Sequence, residues 1–301
     1  MNQPWRTIFH ILFVSLSLFL FICFAWYVKG SFTRPAFDNA IGERIEGEAF
    51  DSTFLRLNTM DKLSAYCDSV VAASNETKIF PDVVSDVIRQ KFYHGYSYYT
   101  KENNLLAVLG ENIVGNAAAA IVLPDDIVKY PYAACSQQSI VGMELFRRKG
   151  YDVRKVAMYD SLEFGGHFTY EVYYDGSWHY FDTNQEPDRT ILKKYRYPSV
   201  AFLAKHPYIV AQAYRMRKHP DSFERLVLNF KVGKINKEPA PNARLYQQVT
   251  KFFNVFGWLV VLAIYGGFIL WSRKKVAKKQ VRAAARAEGR LKAIQTADAV
   301  S

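Results

Sequence analysis

Residues 167–182, HFTYEVYYDGSWHYFD, hold two runs of alternating character on either side of Asp175-Gly176. Asp-Gly between such runs signals a two-residue hairpin loop, because both loop positions must take positive φ and these two residues do so at little cost. With that loop, Tyr174 pairs with Ser177, and Thr169 lies across from Asp182. Side chains alternate along a strand, and opposed residues share a face. His167, Thr169, Glu171 and Tyr173 then share one side with Trp178, Tyr180 and Asp182. His167 and Asp182 become diagonal neighbours, about 7–8 Å apart at the backbone, so a carboxylate can hold an imidazole. His179 falls on the opposite face by the same parity. A three-residue loop or a bulge would shift this register.

Upstream, residues 133–150 read AACSQQSIVGMELFRRKG. Ile140, Val141, Leu145 and Phe146 recur at helical intervals, and Arg147-Arg148-Lys149-Gly150 makes a helix stop with cations on the negative end of the dipole. Cys135 therefore stands at or near the start of this helix. Residues 151–158 predict a strand, and Leu226, Leu228, Phe230 and Val232 alternate as a last one. Residues 61–73 predict an earlier helix with Met60, Leu63, Cys67, Val70 and Val71 on one face, which puts Cys67 in the core. Pro81-Asp82 open another that runs through Phe92 and stops at Gly95. Tyr93, Tyr96, Tyr98 and Tyr99 follow as a packing cluster, sugar stacking being the other use of such rings. Helices and antiparallel strands together make an α+β domain.

The flanks are of another kind. From Thr7 to Val28 there is no Asp, Glu, Lys or Arg, and the run is long enough to cross roughly 30 Å of hydrocarbon as a helix. Phe252 to Trp271 is a second such run, and Trp26, Tyr27, Trp258 and Trp271 supply aromatic rings in or beside the two. A cleaved signal peptide is the alternative for the first, with Cys23 and Ala25 as small residues at the right spacing. The net charge of +11 is concentrated at one end: residues 272–301 hold nine Lys and Arg against two acids, so the middle of the chain is nearly neutral and nucleic acid is not an expected partner. Positive residues beside a span stay cytoplasmic. The expected layout is a short cytoplasmic N-terminus (1–6), a first transmembrane helix (7–28), an extracytoplasmic domain (29–236), a linker (237–251), a second transmembrane helix (252–271) and a basic cytoplasmic tail (272–301). That is a two-pass protein of the cell or inner membrane, with both termini inside and the central domain facing the periplasm or exterior.

The chemistry rests on Cys135, His167 and Asp182. A thiol at a helix N-terminus feels the positive end of the dipole, which raises its thiolate fraction. A thiol, an imidazole and a carboxylate are the set that nucleophilic acyl transfer requires. Backbone N–H groups of Cys135 and Ser136 are candidate oxyanion donors, and Gln137 and Gln138 lie nearby. His179 adds zinc-ligand atoms, but the two histidines point opposite ways, so no metal is expected. No glycine-rich phosphate loop occurs and no cofactor is expected. Asp125-Asp126 suits a solvated loop, and Asn75-Glu76-Thr77 would accept a glycan only in a eukaryotic secretory setting. The three cysteines, Cys23, Cys67 and Cys135, are too few for a disulfide scaffold, although Cys67 and Cys135 could pair in an oxidising compartment.

The run from Ala134 to Asp182, with Cys135, the Arg147–Gly150 helix end, Gly166-His167 and Trp178-His179-Tyr180-Phe181-Asp182, resembles the transglutaminase-like core of the papain-like thiol enzymes. Ile88 to Tyr99 looks like that family's segment before the catalytic cysteine. The resemblance covers about a third of the chain. It implies a Cys-bearing helix packed on an antiparallel sheet, with Cys135 as nucleophile, His167 as general base and then acid, and Asp182 as orienter of the ring. Ala133-Ala134 and Thr183 stand where the family has Gly before the cysteine and often Pro after the aspartate, departures that bear on loop geometry. The expected activity is cleavage or transfer of an amide or ester acyl group through a thioester, as a cysteine protease, amidase or acyltransferase. Expected partners are the lipid bilayer, a peptide, protein or peptidoglycan- or polysaccharide-linked substrate, and a membrane protein. The rival is a non-catalytic transglutaminase-like module that binds polysaccharide or protein in a membrane complex.

Overall fold

A computed structural model describes residues 3–32, 47–74, 79–114, 118–160, 165–215 and 220–298. The Asn75-Glu76-Thr77 sequon lies outside them. The fold is α+β, with a four-stranded antiparallel sheet in the order β3-β2-β1-β4, formed by β1 (Asp152–Asp160), β2 (Gly165–Tyr174), β3 (Ser177–Phe181) and β4 (Phe230–Val232). Asp175 and Gly176 take φ of 47° and 76°, and Tyr174 pairs with Ser177 and Tyr170 with Phe181, so the predicted hairpin register holds.

Helices cover both faces of the sheet. In chain order they are α1 (Gln3–Phe32), α2 (Met60–Ala73), α3 (Phe80–Lys91), α4 (Lys101–Val114), α5 (Pro124–Ile127), α6 (Cys135–Arg148), α7 (Arg189–Lys194), α8 (Val200–Lys205), α9 (Pro207–Tyr214), α10 (Pro220–Leu228) and α11 (Pro241–Asp298). On one face Tyr170 and Phe181 pack against Phe146 of α6, at ring distances of 5.9 and 6.1 Å. Gly142 permits this contact, since a Cβ there would sit 2.7 Å from the Tyr170 ring. On the other face Met158 and Tyr180 meet Leu203, Val210, Tyr214 and Phe223 from α8, α9 and α10. Each layer seals one side of the sheet from water, the main favourable term in such a fold.

Three expectations change. The last strand is only Phe230–Val232, and Leu226 and Leu228 lie in α10. Phe223, Leu226 and Val227 bury one helical face, an i, i+3, i+4 spacing that overrides the short alternation read there. The expected linker 237–251 is helical from Pro241, whose fixed φ suits a first helical position. Asp126 is not in a solvated loop: it is buried, and accepts from Lys129 Nζ (2.7 Å), Lys251 Nζ (2.6 Å) and the Tyr99 hydroxyl (2.6 Å).

α1 and α11 are both long and apolar enough to cross a membrane. They pack on each other, with Phe9 against Phe268 at 4.3 Å, Phe21 edge-on to Trp258 at 5.6 Å, and a 2.7 Å hydrogen bond between His10 Nδ1 and the Tyr265 hydroxyl. α11 also enters the domain core. The buried Gln247 accepts from Val122 N–H (2.9 Å) and donates to Ala120 O (2.7 Å), while Thr250 accepts from Asn104 Nδ2 (3.0 Å).

Candidate active site

Cys135 is the first residue of α6, where the opening N–H groups have no acceptor within the helix. Gln137, one turn in, fastens this start to its surroundings. Its Oε1 accepts from Ser97 N–H (2.9 Å) and Ala134 N–H (3.2 Å), and its Nε2 donates to Ser97 O and Ile121 O, both at 2.8 Å. Ser139 Oγ donates to Phe168 O (3.1 Å), which draws the start of α6 to the first half of β2.

His167 sits there, buried, with Nε2 donating to Asp182 Oδ2 at 2.6 Å. Cys135 lies close enough to this ring for the two groups to shift each other's ionisation. Asp182 is fully engaged. The Tyr214 hydroxyl also donates to Oδ2 (2.6 Å), and the backbone N–H groups of Asn184 and Gln185 donate to Oδ1, both at 3.1 Å. Tyr180 bonds Tyr214 at 2.8 Å, and the Phe223 ring lies edge-on to His167 at 5.5 Å. The carboxylate is thus fixed by hydrogen bonds and the imidazole by packing and the carboxylate.

These contacts set the charges. Burial pushes the Cys135 thiol up, but the hydrogen bond and charge of His167, with a bond to the Phe168 backbone, outweigh it and bring the thiol below its ordinary value. Burial works against a charged His167 as well, yet Asp182 and Cys135 together raise it to about 10. Burial also acts to raise Asp182, and the His167 charge, the hydrogen bonds from His167 and Tyr214, and the Gln185 N–H reverse that and lower it. All three directions favour the charged forms, a thiolate beside an imidazolium and a carboxylate.

The chain matches no family model, no curated protein and no solved structure.

The structure brings together Cys135, His167 and Asp182, the residues singled out from the sequence. The Cys135 and Ser136 N–H groups lie at the open end of α6. Gln137 is wholly used in holding the loop, and Gln138 Nε2 donates to Ala133 O (3.0 Å). His179 is on the far face, stacked on Tyr174 at 3.8 Å with Nδ1 directed at the Arg196 and Tyr197 carbonyls. Among the described residues no group of three or more His, Cys, Asp and Glu side chains converges on a metal position. All three cysteines are unpaired, so Cys67 and Cys135 are not joined.

Four contributors were not singled out by the sequence reading. Tyr214 lies in α9, some thirty residues beyond the aspartate it holds, and no local pattern links the two. Asn184 follows Asp182 by two positions, and its side chain accepts from His94 Nδ1 (3.0 Å) and donates to Ala133 O (3.4 Å). Burial lowers His94, which lies near enough to His167 and Asp182 to feel both charges. Tyr96 differs from its neighbours in the tyrosine cluster: Tyr93 and Tyr99 are buried, whereas Tyr96 is 40% exposed and within electrostatic reach of Cys135 and Ser136. A run of tyrosines gives no cue as to which ring will face a neighbouring thiol.

Proposed function

We propose that this protein is a membrane-anchored thiol acyl-transfer enzyme built on a transglutaminase-like core, with Cys135, His167 and Asp182 as its catalytic residues. The observation that carries the reading is the 2.6 Å hydrogen bond between the buried His167 and Asp182 side chains, with the Cys135 thiol close enough to that ring to be lowered by it. The Cys135 thiolate attacks an amide or ester carbonyl carbon, and the carbonyl π electrons move to oxygen. The N–H groups of Cys135 and Ser136, joined by the Tyr96 hydroxyl, supply donors for that oxyanion. As it collapses, the bond to the leaving amine or alcohol breaks and the His167 imidazolium gives the departing atom its proton, leaving a Cys135 thioester. Water or an amine then attacks the thioester, neutral His167 takes its proton, and the thiolate leaves. Asp182 orients the ring and stabilises its charged form throughout.

For location, the reading is a two-pass anchor with both termini cytoplasmic, supported by the basic residues from Arg273 to Lys292 just beyond the second apolar run. The substrate is then a peptide, protein or wall-linked acyl group outside the bilayer.

The test uses the full-length protein in detergent with p-nitrophenyl acetate. Acetylation at Cys135 with release of p-nitrophenolate is expected, and an amine nucleophile should speed loss of the acetyl group. Tyr96→Phe should slow acylation by about 10-fold, within the range for loss of one oxyanion donor or less. A wild-type protein that stays unacetylated while its fold is intact would favour the non-catalytic binding module.

A further inference from the structure

We infer that α4 lies in the headgroup layer of the outer leaflet and turns its Leu109–Ile113 face into lipid. The inference rests on α1 and α11 crossing the bilayer.

The first argument is length. From Thr7 to Phe32 the helix rises about 38 Å, and from Leu245 to Trp271 about 39 Å, at 1.5 Å per residue. Both exceed the roughly 30 Å of hydrocarbon and approach the 40–45 Å that includes the headgroups. Phe32 (86% exposed) and Leu245 (62% exposed) therefore reach the outer headgroup layer and leave their apolar side chains uncovered by protein there. Trp26 marks the same layer: the ammonium groups of Lys29 and Lys101 lie 4.7 and 4.9 Å from its ring, an aromatic and cationic arrangement suited to headgroup depth.

The second argument is where α4 is pinned. Lys101 opens α4 beside Trp26, and a Cβ on Gly30 of α1 would run into the Glu102 carbonyl. The Tyr246 hydroxyl of α11 donates to Leu106 O (3.4 Å), and Asn104 bonds Thr250. α4 is thus held between the outer ends of α1 and α11.

The third is its two faces. Beyond a break in the helix at the buried Asn104 (φ −159°, ψ 74°), Ala107 and Gly110, three apart, are buried on the side of those helices. Leu109 (43% exposed) and Ile113 (87% exposed), four apart and so on one face, are not covered by the described residues. An uncovered apolar face continuous with two lipid-facing helices at headgroup depth fits the acyl boundary of the bilayer, as in-plane amphipathic segments do.

The experiment places a nitroxide on Leu109→Cys, Ile113→Cys, Leu262→Cys or Lys237→Cys, in a full-length Cys135→Ala background reconstituted into phosphatidylethanolamine–phosphatidylglycerol vesicles. Collision with oxygen, which concentrates in lipid, is compared with collision with a water-soluble nickel chelate. Leu262 reports on the span itself and Lys237 on water. Expected is an oxygen-dominated signal at 109, 113 and 262 and a nickel-dominated one at 237. Oxygen dominance at 262 with nickel dominance at 109 and 113, or with neither reagent reaching them, overturns the placement of α4 alone. Nickel dominance at 262 overturns the crossing of α11, and the inference with it.

Discussion

The middle of α2 and the start of α6 each carry a cysteine, and the two thiols are opposites. Cys67 is sealed in the core with Met60 and Leu63, and burial, with the nearby Asp68 charge adding to it, pushes its thiol up to about 12. Cys135 is also largely enclosed, yet its thiol is lowered, because an imidazolium lies beside it. The desolvation penalty acts in the same direction at both sites, and a partner of opposite charge decides the outcome. Burial by itself makes a cysteine inert. Burial beside His167 leaves it lowered and primed to ionise.

The largest effect that can break this contrast is in alkylation. Full-length protein treated with iodoacetamide at pH 7 should gain one adduct, at Cys135, and Cys135→Ala should slow adduct formation by about 10³-fold or more, since so little of Cys67 is ionised there. Rapid alkylation of Cys67 in that variant, read by peptide mass, would sink the assignment.

Next in size is the acid. Asp182 keeps His167 protonated up to about pH 10, and protonated His167 keeps the Cys135 thiol low. Asp182→Asn removes the anion, so the ring loses its proton at lower pH and the thiol rises toward its ordinary value. The direct repulsion of Asp182 on the thiol disappears too, but that contribution is smaller than those from His167. The inflection in alkylation rate against pH should move up, with a slower rate at pH 7, by up to about 10-fold. An unmoved inflection would separate the thiol from the carboxylate.

Lys91 extends the contrast to a buried cation with no hydrogen-bond partner among the described residues, its ammonium lying 5.4 Å from the Phe92 ring. It is fully buried, its ammonium makes no hydrogen bond, and burial alone brings it down to about 8. The unfolded chain binds this proton more tightly than the folded one. The resulting penalty is full below about pH 8 and fades as pH rises from there to 10.5. Lys91→Met should therefore raise stability by about 2 kcal/mol near pH 7 and by little above pH 10.5, as read from urea melts at the two pH values. The smallest effect belongs to Cys67. Its replacement by Ala should cost about 1 kcal/mol from the cavity left behind, with the alkylation rate unchanged. A slowed alkylation would show that the two thiols are coupled.

Much of this was legible in the chain because the deciding signals are local. Asp175-Gly176 set the loop, the loop set the register, and period-two alternation then put His167 and Asp182 on one face and His179 on the other. The apolar runs at either end stood out for the same reason, as did the start of α6. What the sequence hid is what distant segments do to one another. Tyr214 reaches Asp182 only because α9 folds across the sheet, and Asp126 is buried only because Lys251 arrives from α11. Leu226 shows the remaining difficulty: in a stretch this short, apolar residues two apart and three or four apart coexist, and packing against β1 and α9 selects the helix.

One more property follows from α11 being unbroken from Pro241 to Asp298. Gln247, Thr250 and Lys251 belong to the same rigid rod as the apolar run, so severing the chain ahead of Pro241 would strip hydrogen bonds from residues 118–122 and a cation from Asp126. Residues 119 and 121 are in turn bonded to 97–99, and Gln137 clamps Ser97 and Ile121 to the turn that presents the thiol. The second apolar helix is consequently part of the floor beneath Cys135, and truncation ahead of it would excise a wall of the domain.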